Sequence, residues 1–183
     1  MIEVEIKIQT ALDTARKRLI ENGFEYDAHV RESDTYYDNV EGNIRRNDTA
    51  LRIRTIVFLD SDHSRSYITF KGNRCDDISM TRPEYESLIE SPDDVMMILM
   101  ALGYKPVEPK VIKERTLYVN GSISACLDRV EGLGDFLELE IITGNESKDV
   151  ALTKLWKMLD ILEYKREDTT TISYLSMLQK QKQ

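Results

Sequence analysis

The chain has 183 residues, 41% hydrophobic and 32% charged, with a net charge of −8 from 25 basic and 33 acidic side chains. That length suits one folded unit, so residues 1–183 read as a single domain. The acidic balance argues against a general nucleic-acid binder, because phosphate backbones require a positive footprint. The longest apolar run, Val95 to Leu102, is far too short to cross a bilayer as a helix, and no membrane association is expected.

Met1, Ile2 and Glu3 open the chain without a basic region, an apolar stretch or a small-residue cleavage site, so a cytoplasmic location is the expectation. Cys75 and Cys126 lie far apart with no CxxC spacing. They indicate neither a disulfide framework nor a thiolate metal site.

Residues 2 to 9 alternate strictly, with Ile2, Val4, Ile6 and Ile8 on one face and Glu3, Glu5, Lys7 and Gln9 on the other, which is the two-residue period of a strand. Residues 11 to 22 read as a helix closing at Gly23. A strand follows at Asp34 to Asp38, then a loop rich in Gly, Asn and Asp. Strands are predicted at Leu51 to Leu59 and Ser66 to Gly72 around the polar turn 60–64, and another at Pro83 to Ile89. Ser91 and Pro92 begin a helix that runs to Leu102 and stops at Gly103. Three more alternating strands span Lys113 to Val119, Ile123 to Val130 and Phe136 to Ile142, with turns at Asn120–Gly121 and 132–135. Helices at about Lys148 to Leu162 and Ile172 to Leu178 finish the chain. The pattern predicts an α+β fold whose antiparallel sheet curls towards a barrel.

The second face of these strands is unusual. A half-buried sheet normally sets apolar residues on the core and a loose polar mixture in water. Here Glu3, Glu5 and Lys7 share a face, as do Arg52 and Arg54, Thr69 and Lys71, Glu84 and Glu86, Lys113 and Arg115, and Glu138 and Glu140. Any single pair reads as a solvated outer surface. Repetition across six strands points instead to a charged interior, which is stable only when a ligand or metal completes the pairing. Lysine and arginine suit phosphate oxygens, and carboxylates suit Mg²⁺ or Mn²⁺. No Gly-rich phosphate loop or dinucleotide fingerprint occurs, so side chains must hold the phosphate.

These residues resemble the CYTH superfamily, the triphosphate tunnel metalloenzymes that join class IV adenylyl cyclases and thiamine triphosphatases. The resemblance covers nearly the whole chain and rests on an ExExK motif at Glu3, Glu5 and Lys7, followed in order by 34–38 (DTYYD), 51–54 (LRIR), 69–72 (TFKG), 82–86 (RPEYE), 113–115 (KER) and 127–140. It implies a closed eight-stranded antiparallel β-barrel with flanking helices, a triphosphate gripped by basic residues, and divalent metal on glutamates. Carried over by position, Glu3, Glu5, Glu138 and Glu140 resemble metal ligands, and Lys7, Arg52, Arg54, Lys71, Lys113 and Arg115 resemble phosphate contacts. Glu84, Glu86 and Asp128 belong to the tunnel, either orienting the basic residues or binding metal. Tyr36 and Lys71 occupy the positions where triphosphatases of the family pair a phenol and an ammonium to activate water.

His29 and His63 lack partner motifs and read as surface residues. Met96, Met97 and Met100 with Leu99 and Leu102 fit the packed side of a helix, and Trp156 with Leu152, Leu155 and Leu159 reads as core or as the contact of a homodimer. Three functions compete. The stretch 132–136 resembles the class IV cyclase branch, which implies ATP as substrate with cyclic AMP and pyrophosphate as products. Glu140 and the Tyr36–Lys71 pair imply hydrolysis of tripolyphosphate, thiamine triphosphate or a nucleoside triphosphate. A non-catalytic polyphosphate-binding module would have little use for the four metal carboxylates.

Overall fold

The computed structural model describes residues 1–144 and 147–182. Its strands are β1 (Ile2–Gln9), β2 (Glu25–Asn39), β3 (Ala50–Phe58), β4 (His63–Lys71), β5 (Arg82–Ile89), β6 (Tyr104–Asn120), β7 (Ile123–Val130) and β8 (Gly134–Thr143). They are hydrogen-bonded in the order β1-β5-β4-β3-β2-β6-β7-β8 and close into an antiparallel barrel. The helices are α1 (Leu12–Glu21), α2 (Asn43–Arg46), α3 (Pro92–Ala101), α4 (Lys148–Ile161) and α5 (Tyr174–Gln181), with a 3₁₀ turn at Arg166–Asp168. The expected eight-stranded barrel with flanking helices is therefore present.

Alternation along the strands explains where the core sits. Val4, Ile6, Leu137 and Leu139 face outwards and are buried under Leu155 and Leu159 of α4 and Leu19 of α1, so the main apolar core lies outside the barrel wall. Trp156 is buried within that cluster and belongs to the core. On the opposite side Val95, Met96 and Leu99 of α3 cover Tyr37, Ile53 and Ile68. Met97, Met100 and Leu102 do not join them and are exposed, contrary to expectation; α3 is apolar nearly all round, and only one stripe of a helix can meet a sheet. Its start is fixed by Ser91, whose Oγ accepts the Asp94 amide at 3.2 Å, ahead of Pro92.

Two strands are much longer than predicted. β2 begins at Glu25 rather than Asp34, and β6 begins at Tyr104 rather than Lys113. Residues 25–33 place charges on both faces, which hides the period. Residues 104–112 contain Pro106 and Pro109, ordinarily strand breakers. The ladder absorbs them through a register shift between Asp34 and Tyr36, opposite Val111 and Val107. The β6–β7 hairpin turns at Gly121, whose φ of +60° suits a residue without a side chain.

Candidate active site

The inward residues of the strands line one cavity of about 750 Å³. Glu3, Glu5, Lys7, Arg52, Arg54, Lys71, Lys113, Arg115, Glu138 and Glu140, singled out from sequence, all line it, together with Tyr36. The sheet register produces their pairing directly. Lys7 lies opposite Glu138, Glu5 opposite Glu140, Arg54 opposite Asp34, Lys113 opposite Glu32, Arg115 opposite Asp128 and Lys71 opposite Glu84. Most of these cross-strand neighbours become ion pairs.

Cations dominate one part of the interior. Arg54 grips Asp34 with two bonds of 2.6 and 2.7 Å and reaches Glu32 at 3.0 Å, while Arg52 meets Asp34 at 3.2 Å. Arg115 takes Asp128 with two bonds of 2.6 Å, and Lys113 joins Asp128 at 3.0 Å and Glu32 at 3.3 Å. Burial pushes the Glu32 carboxyl up, but Arg54, Lys113 and Arg115 outweigh it and bring it down to about 2. Asp34 is likewise lowered against its burial by Arg54 and Arg52, and Glu138 by Lys7, Lys113 and Arg115. These carboxylates hold the basic groups in place. Among the described residues the buried Arg52 Nε and Arg82 Nε find no hydrogen-bond partner, so donors remain for a guest.

Carboxylates dominate the other part. Glu3 and Glu5 are raised, each mainly by burial; the charges of Glu84 on Glu3 and of Glu138 on Glu5 add to it, against Lys71 and Lys7 respectively. Glu140 is raised to about 8 by burial and by Glu3, against the pull of Arg115. Glu5 Oε1 has no hydrogen bond, although Lys7 stands 3.2 Å away. Buried, hard-oxygen donors that are short of positive charge fit Mg²⁺ or Mn²⁺ in chemistry. Among the described residues no three such side chains are already gathered around a point; Glu3 turns to Lys71, Glu5 to Lys7, and Glu138 to Lys7 and Arg115. A cation would have to compete with those partners.

The like-charge crowding has a measurable consequence. A carboxyl whose folded pKa is raised from 4.5 to about 8 resists ionisation in the folded state, so its penalty is absent below pH 4.5 and complete above about pH 8. Glu140→Gln should therefore raise the melting temperature of the metal-free protein at pH 8.5, by about 2–4 °C for each kcal/mol relieved. At pH 4 it should change nothing. A lower melting temperature at pH 8.5 would contradict the crowding.

Not every expected site residue meets the cavity in the same way. Asp128 is fully buried behind Lys113 and Arg115, and Glu84 stands beside Lys71 at 3.2 Å, so both orient cations. Glu86 is exposed and accepts the Thr69 hydroxyl at 2.8 Å; it is not part of the cavity wall, because β5 pairs with β1 only at Arg82 and Pro83 and has parted from it by Glu86. Tyr36 and Lys71 share the cavity, but no hydrogen bond joins them. The Lys71 ammonium is taken by Glu3 and Glu84, and Tyr36 packs against the cluster of Val111, Phe136 and Tyr174.

Four residues given no role from sequence are part of the site: Glu32, Asp34, Arg82 and Tyr174. Glu32 and Asp34 alternate on β2 as the other charged pairs do; Asp34 already falls in the predicted strand, and extending that strand to Glu25 adds Glu32 to its charged face. Arg82 lines the cavity where Asp48 also meets it. Tyr174 begins a short C-terminal helix, and nothing in its neighbours marks it.

The family model described as CYTH domain matches residues 1–174. A Methanocaldococcus jannaschii protein, named only provisionally as an adenylate cyclase, is 36% identical over 97% of this chain and 98% of its own. The adenylate cyclase CyaB of Aeromonas hydrophila is 30% identical over 64% of this chain and 56% of its own length. Among solved structures, the PH1819 protein of Pyrococcus horikoshii superimposes with a TM-score of 0.87 at 33% identity, over 98% of this chain and 99% of that one.

Proposed function

Because this chain belongs to the CYTH family, we propose that it is a divalent-cation-dependent enzyme that holds the triphosphate of an organic substrate inside the barrel, with the conversion of ATP to cyclic AMP and pyrophosphate as its reaction. The observation that carries this reading is the division of one cavity between cations with unmet donors and carboxylates short of positive charge. A metal triphosphate supplies what each half lacks. The names of two relatives support the cyclase reading.

Lys7, Arg52, Arg54, Lys113 and Arg115 would bind phosphate oxygens, with Asp34, Glu32 and Asp128 fixing their geometry. Glu3, Glu5, Glu138 and Glu140 would hold Mg²⁺ or Mn²⁺, which when bound neutralises developing phosphate charge. The cavity mouth adds Val40, Ile44, Leu51, Val107 and Leu175, an apolar lining that suits an organic group better than a bare inorganic chain. In the cyclase reaction the ribose 3′-hydroxyl gives its proton to solvent as its oxygen attacks the α-phosphorus, the bond from that phosphorus to the bridging oxygen breaks, and pyrophosphate leaves.

Hydrolysis is the second reading. Glu140 retains a second carboxylate opposite Glu5, and Tyr36 faces the same space as the phosphate contacts. Here water would attack the terminal phosphorus of tripolyphosphate, thiamine triphosphate or a nucleoside triphosphate, the bond from that phosphorus to the bridging oxygen would break, and orthophosphate and the corresponding diphosphate would leave. Incubation with each, in Mn²⁺, followed by separation of the products decides between them. Cyclic AMP with pyrophosphate is the expected result. Orthophosphate alone would replace the cyclase with a triphosphatase, and intact substrates would leave only a polyphosphate-binding module.

A further inference from the structure

We propose that Tyr174 is a positioning residue that acts through Asp128, so that docking of the C-terminal helix and the grip on a bound triphosphate stabilise each other. The inference rests on the triphosphate reading above and names a residue outside its set of charged contacts.

The C-terminal segment is tied to the barrel just before α5. The Thr170 amide donates to the Lys7 carbonyl at 2.9 Å, and Thr169 bridges to Ile8. Ser173 then caps the helix, its Oγ accepting the Ser176 amide at 3.2 Å. Tyr174 is the one buried residue of α5. Its ring packs edge-on against Phe136 with centroids 5.0 Å apart, and the Lys7 and Lys113 ammoniums lie 4.3 and 5.2 Å from its centroid. Its hydroxyl donates to Asp128 Oδ2 at 3.0 Å, the oxygen that also accepts from Lys113 and Arg115. One side chain thus meets Lys7 and Lys113 directly and Arg115 through a shared carboxylate.

The physical effect follows from what Asp128 needs. It is wholly buried, so its charge must be met by donors, and four hydrogen bonds do so: two from Arg115 and one each from Lys113 and Tyr174. The phenol competes with both cations for Oδ2, which leaves Lys113 and Arg115 freer to turn donors to phosphate. Without that hydroxyl Oδ2 is shared by Lys113 and Arg115 alone, so its hold on both cations tightens at the expense of a guest. The aromatic face in turn holds the lysine ammoniums at a fixed depth. Ile172, Ser173, Leu175 and Gln179 line the same cavity, so undocking of this segment would open its wall. Because linkage is reciprocal, whatever α5 docking adds to triphosphate affinity, triphosphate adds to α5 docking.

The test compares the dissociation constant of tripolyphosphate, in Mn²⁺, for wild type, Tyr174→Phe, Asp128→Asn and the double variant. Phenylalanine keeps the ring and its packing, so only the hydroxyl is lost. Tyr174→Phe should weaken binding about tenfold, the scale of one hydrogen bond to a charged group, and should weaken it less than about twofold when Asp128 is already Asn. Should Asp128→Asn fail to fold, Lys113→Gln takes its place in the cycle with the same non-additivity expected. Tripolyphosphate should also slow proteolytic removal of α5 in wild type, and less so in Tyr174→Phe. Wild type that binds no triphosphate would end the function reading and this inference with it. Wild-type binding with an unaffected Tyr174→Phe, or a full tenfold loss persisting beside Asp128→Asn, would overturn this inference alone.

Discussion

Chelation with excess EDTA should lower triphosphate turnover by at least about 10³-fold, the scale of several kcal/mol of charge stabilisation by a metal, and either Mg²⁺ or Mn²⁺ should restore it. The reason lies in the acidic half of the cavity, where Glu3, Glu5 and Glu140 are all held above the ordinary carboxylate range, first by burial and then by neighbouring carboxylates: Glu84 for Glu3, Glu138 for Glu5 and Glu3 for Glu140. Glu5→Gln is the matching substitution. It removes one charge from the crowd while keeping the shape, and Lys7 retains Glu138 at 3.0 Å. The metal concentration for half-maximal rate should rise at least about tenfold, with no loss of melting temperature in the metal-free protein. Undiminished turnover after chelation would sink the proposed role of these carboxylates.

Arg52→Gln should raise the Michaelis constant for the triphosphate by about 10- to 100-fold, the range for one or two charge-assisted hydrogen bonds. Arg52 is buried, yet its Nε has no partner, and its contact with Asp34 is the longest of the three bonds that carboxylate accepts. Removing it leaves Asp34 still paired with Arg54, so the fold should survive. Turnover at saturation should fall less than affinity does, as expected when a contact is made in both ground and transition states. A Michaelis constant unchanged from wild type would place the phosphate elsewhere.

Much of this was legible in the amino-acid order because barrel alternation writes itself into sequence. Ile2 to Gln9 shows both of its faces, and the paired charges at Arg52 and Arg54, Lys113 and Arg115, and Glu138 and Glu140 show which side is unusual. What the pattern hides is which carboxylate serves which cation. Asp128 and Glu138 both meet Arg115, but only the register of β6, β7 and β8 makes Asp128 its fully buried two-point partner. Residues 25–33 carry charge on both faces and so conceal Glu32 and its strand. Tyr174 is further from reach still. Its role depends on a chain segment returning to the barrel 46 residues after Asp128, and no local periodicity reports such a meeting. The Tyr36–Lys71 contact fails for a related reason, since Lys71 has nearer carboxylates on β1 and β5.

The central proposal is that a metal ion and a triphosphate share the interior of this barrel. Calorimetric titration of tripolyphosphate into the protein, once with Mn²⁺ and once with excess EDTA, measures that claim directly. One tripolyphosphate bound per chain with the ion, and much weaker binding without it, is the predicted result; no binding in Mn²⁺, or binding undiminished by EDTA, would contradict it.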